Sequence, residues 1–190
     1  MTKDKQAAIS GVEKKAALIG EVADCIWDYA ELSLQEERSA AKYCAVLEAE
    51  GFTVERGICS IPTAFSASYG SGRPVIGLLA EYDALSGMSQ KAGSVEREET
   101  VPGGNGHGCG HNLLGAGAMA AALGVKAWLE QTGNPGTVIL YGCPGEEGGA
   151  AKAFMAREEL WRKLDAALTW HPDDVNEVGT GSSNSCIQTQ

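Results

Sequence analysis

Two apolar runs, Val75–Ala80 and Thr137–Gly142, stand on either side of a long stretch of small apolar residues from Leu113 to Leu129. Each run is apolar throughout, as a strand covered on both faces must be. The stretch between them is too long for a strand. It carries Gly115, Gly117 and Gly124 among many alanines, so it gives up helix propensity for close approach and is expected to lie buried against a sheet. Strand, helix, strand in that order is a parallel crossover unit. A further helix over about Ala150–Arg157, continuing towards Trp161, and a strand over Leu164–Trp170 extend it. The order β-α-β-α-β predicts an α/β fold, a three-layer αβα arrangement with a mainly parallel central sheet.

Ahead of this unit, residues from about Ala7 to Leu32 read as one helix, with Val12, Leu18, Ile19, Val22, Ile26 and Tyr29 near helical spacing. Ser33 followed three residues later by Glu36 forms a capping box for a second helix. That helix runs to about Glu50, with Ala41, Cys44, Ala45 and Leu47 inward, and Gly51 stops it. Short strands follow over Phe52–Glu55 and Ala64–Tyr69. Residues 86–105 have no periodicity and form a long loop.

Composition removes some classes of function. With 15 Lys plus Arg against 25 Asp plus Glu, the 190-residue chain carries a formal charge of −10. A nucleic-acid surface needs clustered cations, so none is expected. No run approaches the ~18–20 apolar residues of a membrane span, and no signal-peptide pattern opens the chain. The six cysteines are widely and irregularly spaced. Free thiols in a reducing, cytoplasmic setting are the expectation, with Cys25 and Cys44 as small core hydrophobes.

Titratable side chains collect where the strands end. Val75–Ala80 delivers Glu81 and Asp83. Thr137–Gly142 delivers Glu146 and Glu147 in a Pro-Gly-Glu-Glu-Gly-Gly turn. Leu164–Trp170 delivers His171. The loop entering the long helix, Gly103–Asn112, delivers His107, Cys109 and His111 among five glycines. In open α/β sheets the ligand crevice lies outside the strands' carboxyl ends, so all four groups can meet there. Thiolate, imidazole and carboxylate together suit Zn²⁺, with Mn²⁺, Co²⁺ or Ni²⁺ also compatible. Of the adjacent glutamates, one can ligate while the other acts as general base. Each group also has a plainer reading: a free cysteine in a glycine turn, a solvated acid pair, a structural histidine. A thiol hydrolase using Cys109 with His107 or His111 is the competing catalytic reading.

Glu-Tyr-Asp-Ala-Leu at 81–85, Gly-His-Gly-Cys-Gly-His-Asn at 106–112, Gly-Cys-Pro-Gly-Glu-Glu-Gly at 142–148 and Thr-Trp-His-Pro at 169–172 resemble the dinuclear-metal amidohydrolases of the aminoacylase/carboxypeptidase superfamily. The resemblance spans nearly the whole chain. It implies a zinc-exopeptidase-like catalytic domain holding two divalent metal ions, Zn or Mn. Cys109 would bridge them, with His111, Glu147 and His171 as further ligands. Glu146 would be general base and later proton donor. Asp83 would orient a ligating imidazole. Glu81 occupies the place where relatives with a His-x-Asp motif put a ligand, and His107 would be an outer or substrate contact.

The implied reaction is hydrolysis of the amide of an N-acyl or N-aroyl amino acid, aminobenzoyl-glutamate foremost. Such relatives are longer, with a lid and dimerisation domain and a last histidine ligand further on. Residues 1–175 are therefore expected to form the N-terminal part of a catalytic domain, incomplete at its C-terminus. Residues 176–190 would begin the crossing to the lid. A homo-oligomer or heteromer is implied for the full-length form. The alternative is a metal-binding but catalytically incomplete chain, or a partner-dependent subunit.

Overall fold

The computed structural model describes residues 2–175. The expected crossing segment, 176–190, lies outside them. In chain order the elements are α1 (Lys3–Glu13), α2 (Ala16–Tyr29), α3 (Glu37–Ala49), β1 (Thr53–Arg56), β2 (Phe65–Ser71), β3 (Val75–Ala80), α4 (His111–Thr132), β4 (Gly136–Gly142), α5 (Ala151–Arg157) and β5 (Ala166–Leu168). Single turns of 3-10 helix occur at Ile58–Ser60 and Leu160–Lys163.

The five strands form one sheet in the order β1-β2-β4-β3-β5. β3 pairs in parallel with both β4 and β5, while β2 is antiparallel to β4 and to β1. Only β2 therefore runs against the rest, and the sheet is mixed but mainly parallel. Alternation along β4 divides its two faces. Val138 and Leu140 join α2, α3 and α4 in one core, where Ile26, Tyr43, Leu47 and Met119 are fully buried. Ile139 and Tyr141 face Met155 and Trp161 on the other side. Helices thus cover both faces, giving the three layers.

The glycines of α4 make close packing possible, but not all against the sheet. A Cβ at Gly124 would touch Val12 and Ala8 of α1, one at Gly115 would meet the Tyr43 hydroxyl and the Glu81 carbonyl, and one at Gly117 would fall on the Trp170 ring. By length and composition α4 could cross a bilayer, contrary to the reading that no segment reaches that size. More than half of its apolar window is buried inside the fold.

Several local expectations are corrected. The single helix over 7–32 is two helices, α1 turning at Lys14–Lys15 to lie along α4. Ser33 does not cap α3. The helix starts later, behind Glu36, and it is the Glu31 carboxylate that accepts from its first-turn N–H groups, those of Arg38 and Ser39 (2.9 Å each). Ser33 and Glu36 are instead committed to long-range hydrogen bonds. On α3 the inward face is Ala40, Tyr43, Cys44, Val46 and Leu47, while Ala41 and Ala45 are exposed. The last strand is only Ala166–Leu168, an exposed edge. The five cysteines among the described residues are all free.

Candidate metal centre

The parallel strands β3, β4 and β5 end side by side, with Ala80 opposite Gly142 and Leu78 opposite Leu168. Beyond them come Glu81 to Asp83, Cys143 to Glu147, and Trp170 with His171. α4 begins at His111 on the same edge. Gly110, between Cys109 and His111, adopts φ 80° at the helix entrance, a conformation that costs glycine little.

Asp83 is the hub. It is 1% exposed. Its Oδ1 lies 2.9 Å from His111 Nδ1, and its Oδ2 accepts from Ser33 Oγ (2.7 Å) and from the Glu147 backbone N–H (2.9 Å). Burial alone would raise its pKa, but the His111 ring, the Glu147 N–H and the Ser33 hydroxyl outweigh it and hold the carboxyl below its usual value. A carboxylate only accepts, so His111 Nδ1 carries a proton and Nε2 is left as the ring's free nitrogen. Burial opposes a charge on that ring, yet Asp83, Glu81 and Glu147 together raise its pKa.

His171 is held in the same sense. Its Nδ1 donates to the Pro172 carbonyl (2.9 Å), and its Nε2 faces Cys109 Sγ at 3.2 Å. The Trp170 indole donates to the Leu114 carbonyl (3.0 Å), pinning this segment to the first turn of α4. Burial, with Glu147 next, pushes the Cys109 thiol up to about 11. A bound divalent cation reverses such a preference, because a coordinating thiol is deprotonated.

Three carboxylates surround His111 Nε2. Glu81 Oε2 is 3.1 Å away, and Glu146 and Glu147 are each at 3.9 Å. Glu81 is buried and ion-paired through its other oxygen with Lys152. Burial, then the Glu81 charge, raises the pKa of Glu146.

The donors fit a metal. His111 Nε2 is buried and makes no hydrogen bond. The Glu81 oxygen is near enough for one, but the geometry is not that of a hydrogen bond. A lone pair facing three carboxylates is repulsive unless a proton or a cation lies between them. Among the described residues, two donor sets are compact enough to hold an ion: Cys109, His111 and His171, and Glu81, His111 and Glu146.

The expected site residues therefore converge, with differences of detail. The residue common to both sets is His111, whereas the resemblance makes Cys109 the bridge. Glu81 belongs to a compact set, while Glu147 belongs to neither. His107 stands apart: its Nε2 donates to the Ile26 carbonyl (2.9 Å), and burial lowers its pKa. Sequence reading missed Ser33, Lys152 and Trp170. Each acts through a partner at least 50 residues away in the chain, and no local pattern signals that.

Fold and donor set together define a class. The chain belongs to peptidase family M20/M25/M40, whose family model matches residues 77–184. It is 58% identical over 153 residues to a p-aminobenzoyl-glutamate hydrolase subunit of Escherichia coli (strain K12), a match covering 80% of this chain and 32% of that protein. The chain thus spans about a third of that relative's length. Among solved structures, a putative aminohydrolase from methicillin resistant Staphylococcus aureus superposes with a TM-score of 0.68 at 22% identity, covering 88% of this chain and 42% of the other. A dinuclear metal binding peptidase of the M20 family from Bacillus subtilis superposes at 0.64 and 24% identity, covering 83% and 44%. These likenesses establish the fold, a three-layer α/β catalytic-domain architecture.

Proposed function

We propose that this chain takes part in metal-dependent hydrolysis of an amide in N-acyl or N-aroyl amino acids, with p-aminobenzoyl-glutamate the foremost substrate. The observation that carries the reading is the buried His111 Nε2, fixed by Asp83 on its far side and left without a hydrogen bond amid three carboxylates. The similarity to a p-aminobenzoyl-glutamate hydrolase subunit supports the substrate.

In this reading Cys109, His111, Glu147 and His171 hold two divalent ions, Zn²⁺ or Mn²⁺, and Glu81 is a further carboxylate within reach. When bound, such ions polarise the scissile carbonyl and lower the pKa of the attacking water. The residues do the rest. Asp83 keeps the proton on His111 Nδ1, so that Nε2 stays a ligand. Glu146 accepts a proton from the attacking water as its oxygen adds to the carbonyl carbon. When the C–N bond breaks, Glu146 returns that proton to the leaving nitrogen. A carboxyl raised by burial and by the neighbouring Glu81 suits both halves of this exchange. Lys152 balances the buried Glu81 charge. A reducing, cytoplasmic setting belongs to the same reading and accords with the free thiols.

A second reading is a metal-binding chain that needs a further polypeptide for turnover. It is favoured by the relative's being named as one part of a multi-part hydrolase. Incubating the purified chain with aminobenzoyl-glutamate and Mn²⁺ or Zn²⁺ and following free aminobenzoate separates the two. Release that is abolished by chelators supports catalysis by this chain. Bound metal with no release supports the second reading, and release that survives chelators but not thiol alkylation overturns both.

A further inference from the structure

The loop bearing Cys109 and His111 is seated on the carboxyl end of α2 by three side chains. Asn105 Nδ2 donates to the Ala30 carbonyl (3.1 Å), His107 Nε2 to the Ile26 carbonyl (2.9 Å) and Asn112 Nδ2 to the Ala23 carbonyl (3.4 Å). Positions 23, 26 and 30 lie along one helical face. The Ile26 and Ala30 carbonyls stand at the negative end of the α2 dipole, which attracts donors; Ile26 also accepts from the Ala30 N–H (3.2 Å), so its bond from His107 is a second one. Ala30 has left-handed backbone (φ 42°), which ends α2 and leaves its carbonyl without a following turn.

His107 also closes the turn around the cysteine. Its own carbonyl accepts from the Gly110 N–H (3.1 Å). Cys109 is flanked by Gly108 and Gly110, which resist backbone rotation least of all residues. Upstream, Gly106 is held by a reciprocal backbone pair with Leu85 (3.0 Å each way); between that pair and α4, His107 is the side chain that anchors the turn carrying Cys109.

We propose that Asn105, His107 and Asn112 are positioning residues that clamp the metal loop onto α2 and hold Cys109 Sγ within reach of His111 and His171, an inference that rests on the metal reading above. The donors matter and the imidazole does not: a carbonyl asks only for an N–H at that place, and a glutamine can supply one.

Co²⁺ is the probe. It reports its own affinity by chelator competition, and its thiolate charge-transfer absorption in the near ultraviolet reports on Cys109 directly. His107→Ala is expected to weaken Co²⁺ binding by about tenfold or more, as loss of supporting contacts around metal ligands usually does, and to diminish the thiolate band. His107→Gln is expected to restore both.

Val22→Ala, in the α2 core with its side chain in none of these hydrogen bonds, lowers thermal stability and leaves band and affinity unchanged. It thereby separates positioning from general loosening of α2. If His107→Ala fails to fold, Asn105→Ala at its half-buried site carries the same expectation with a smaller loss. The assignment is overturned if the alanine variants bind Co²⁺ with wild-type affinity and band, or if Val22→Ala weakens both as much. A wild-type chain that binds no Co²⁺ overturns the metal reading, and this assignment with it.

Discussion

Asp83 Oδ1 meets His111 Nδ1 at 2.9 Å, in an interior where both side chains are 1% exposed or less. The pair joins the end of β3 to the start of α4 and fixes which imidazole nitrogen is free. Replacing Asp83 with alanine removes that constraint, together with the acceptor for Ser33 and the Glu147 N–H. Divalent-metal affinity, measured by chelator competition, should fall by about 10- to 100-fold. An unchanged affinity would mean that His111 needs no orienting partner.

Glu146→Gln separates chemistry from binding. The amide keeps the size of the side chain but cannot take up a proton. Metal content should be retained, while aminobenzoate release falls by about 10²- to 10⁴-fold, the range that proton-transfer catalysis contributes. Equal loss of metal and activity would make Glu146 a ligand instead.

Glu36 gives a pH-dependent test away from the donors. It is wholly buried and accepts from the Leu34 N–H (2.8 Å), the Gly145 N–H (2.7 Å) and Thr63 Oγ (3.0 Å). Burial is the largest influence and outweighs these bonds, so its pKa is raised. An acid raised in the folded state contributes stability that is fully present below its unfolded pKa and lost as pH rises through the folded value. Urea denaturation should therefore show Glu36→Gln gaining on wild type as pH rises from the acid side to neutrality. The glutamine keeps an oxygen for the two N–H groups. Glu36→Ala leaves those buried donors unpaired and should cost about 1–3 kcal/mol at neutral pH.

Gly117→Ala tests the seat of His171. The added methyl would fall on the Trp170 ring, whose indole donates to Leu114. Overpacking of this kind costs about 1–3 kcal/mol, which should appear as a lowered Tm. Displacing Trp170 moves His171 with it, so metal affinity should fall too. Loss of Tm with unchanged affinity would show that His171 does not depend on Trp170.

What could be read from the chain was what neighbours in sequence encode. The runs Val75–Ala80 and Thr137–Gly142 became β3 and β4 almost residue for residue, because a doubly covered strand has no room for polar side chains. The convergence of Asp83, Cys109, His111, Glu146 and His171 on one edge followed from strand direction. The misreadings came where distant contacts win. Ser33 and Glu36 look like a capping box, but their side chains bond Asp83 and Gly145, 50 and 109 residues away. Nothing at Lys14–Lys15 is a helix breaker; α1 turns there because Gly11 and Gly124 let it lie against α4. Alanines 41 and 45 carry no strong preference for either face, and they took the exposed one.

The most direct test is the metal content of the purified chain after equilibration with Zn²⁺ or Mn²⁺ and removal of free ion, beside Cys109→Ser and His111→Ala. The expected result is tightly bound divalent metal in the wild type, reduced by Cys109→Ser and lost with His111→Ala. No bound metal in the folded wild type, or metal that both variants retain in full, would contradict it.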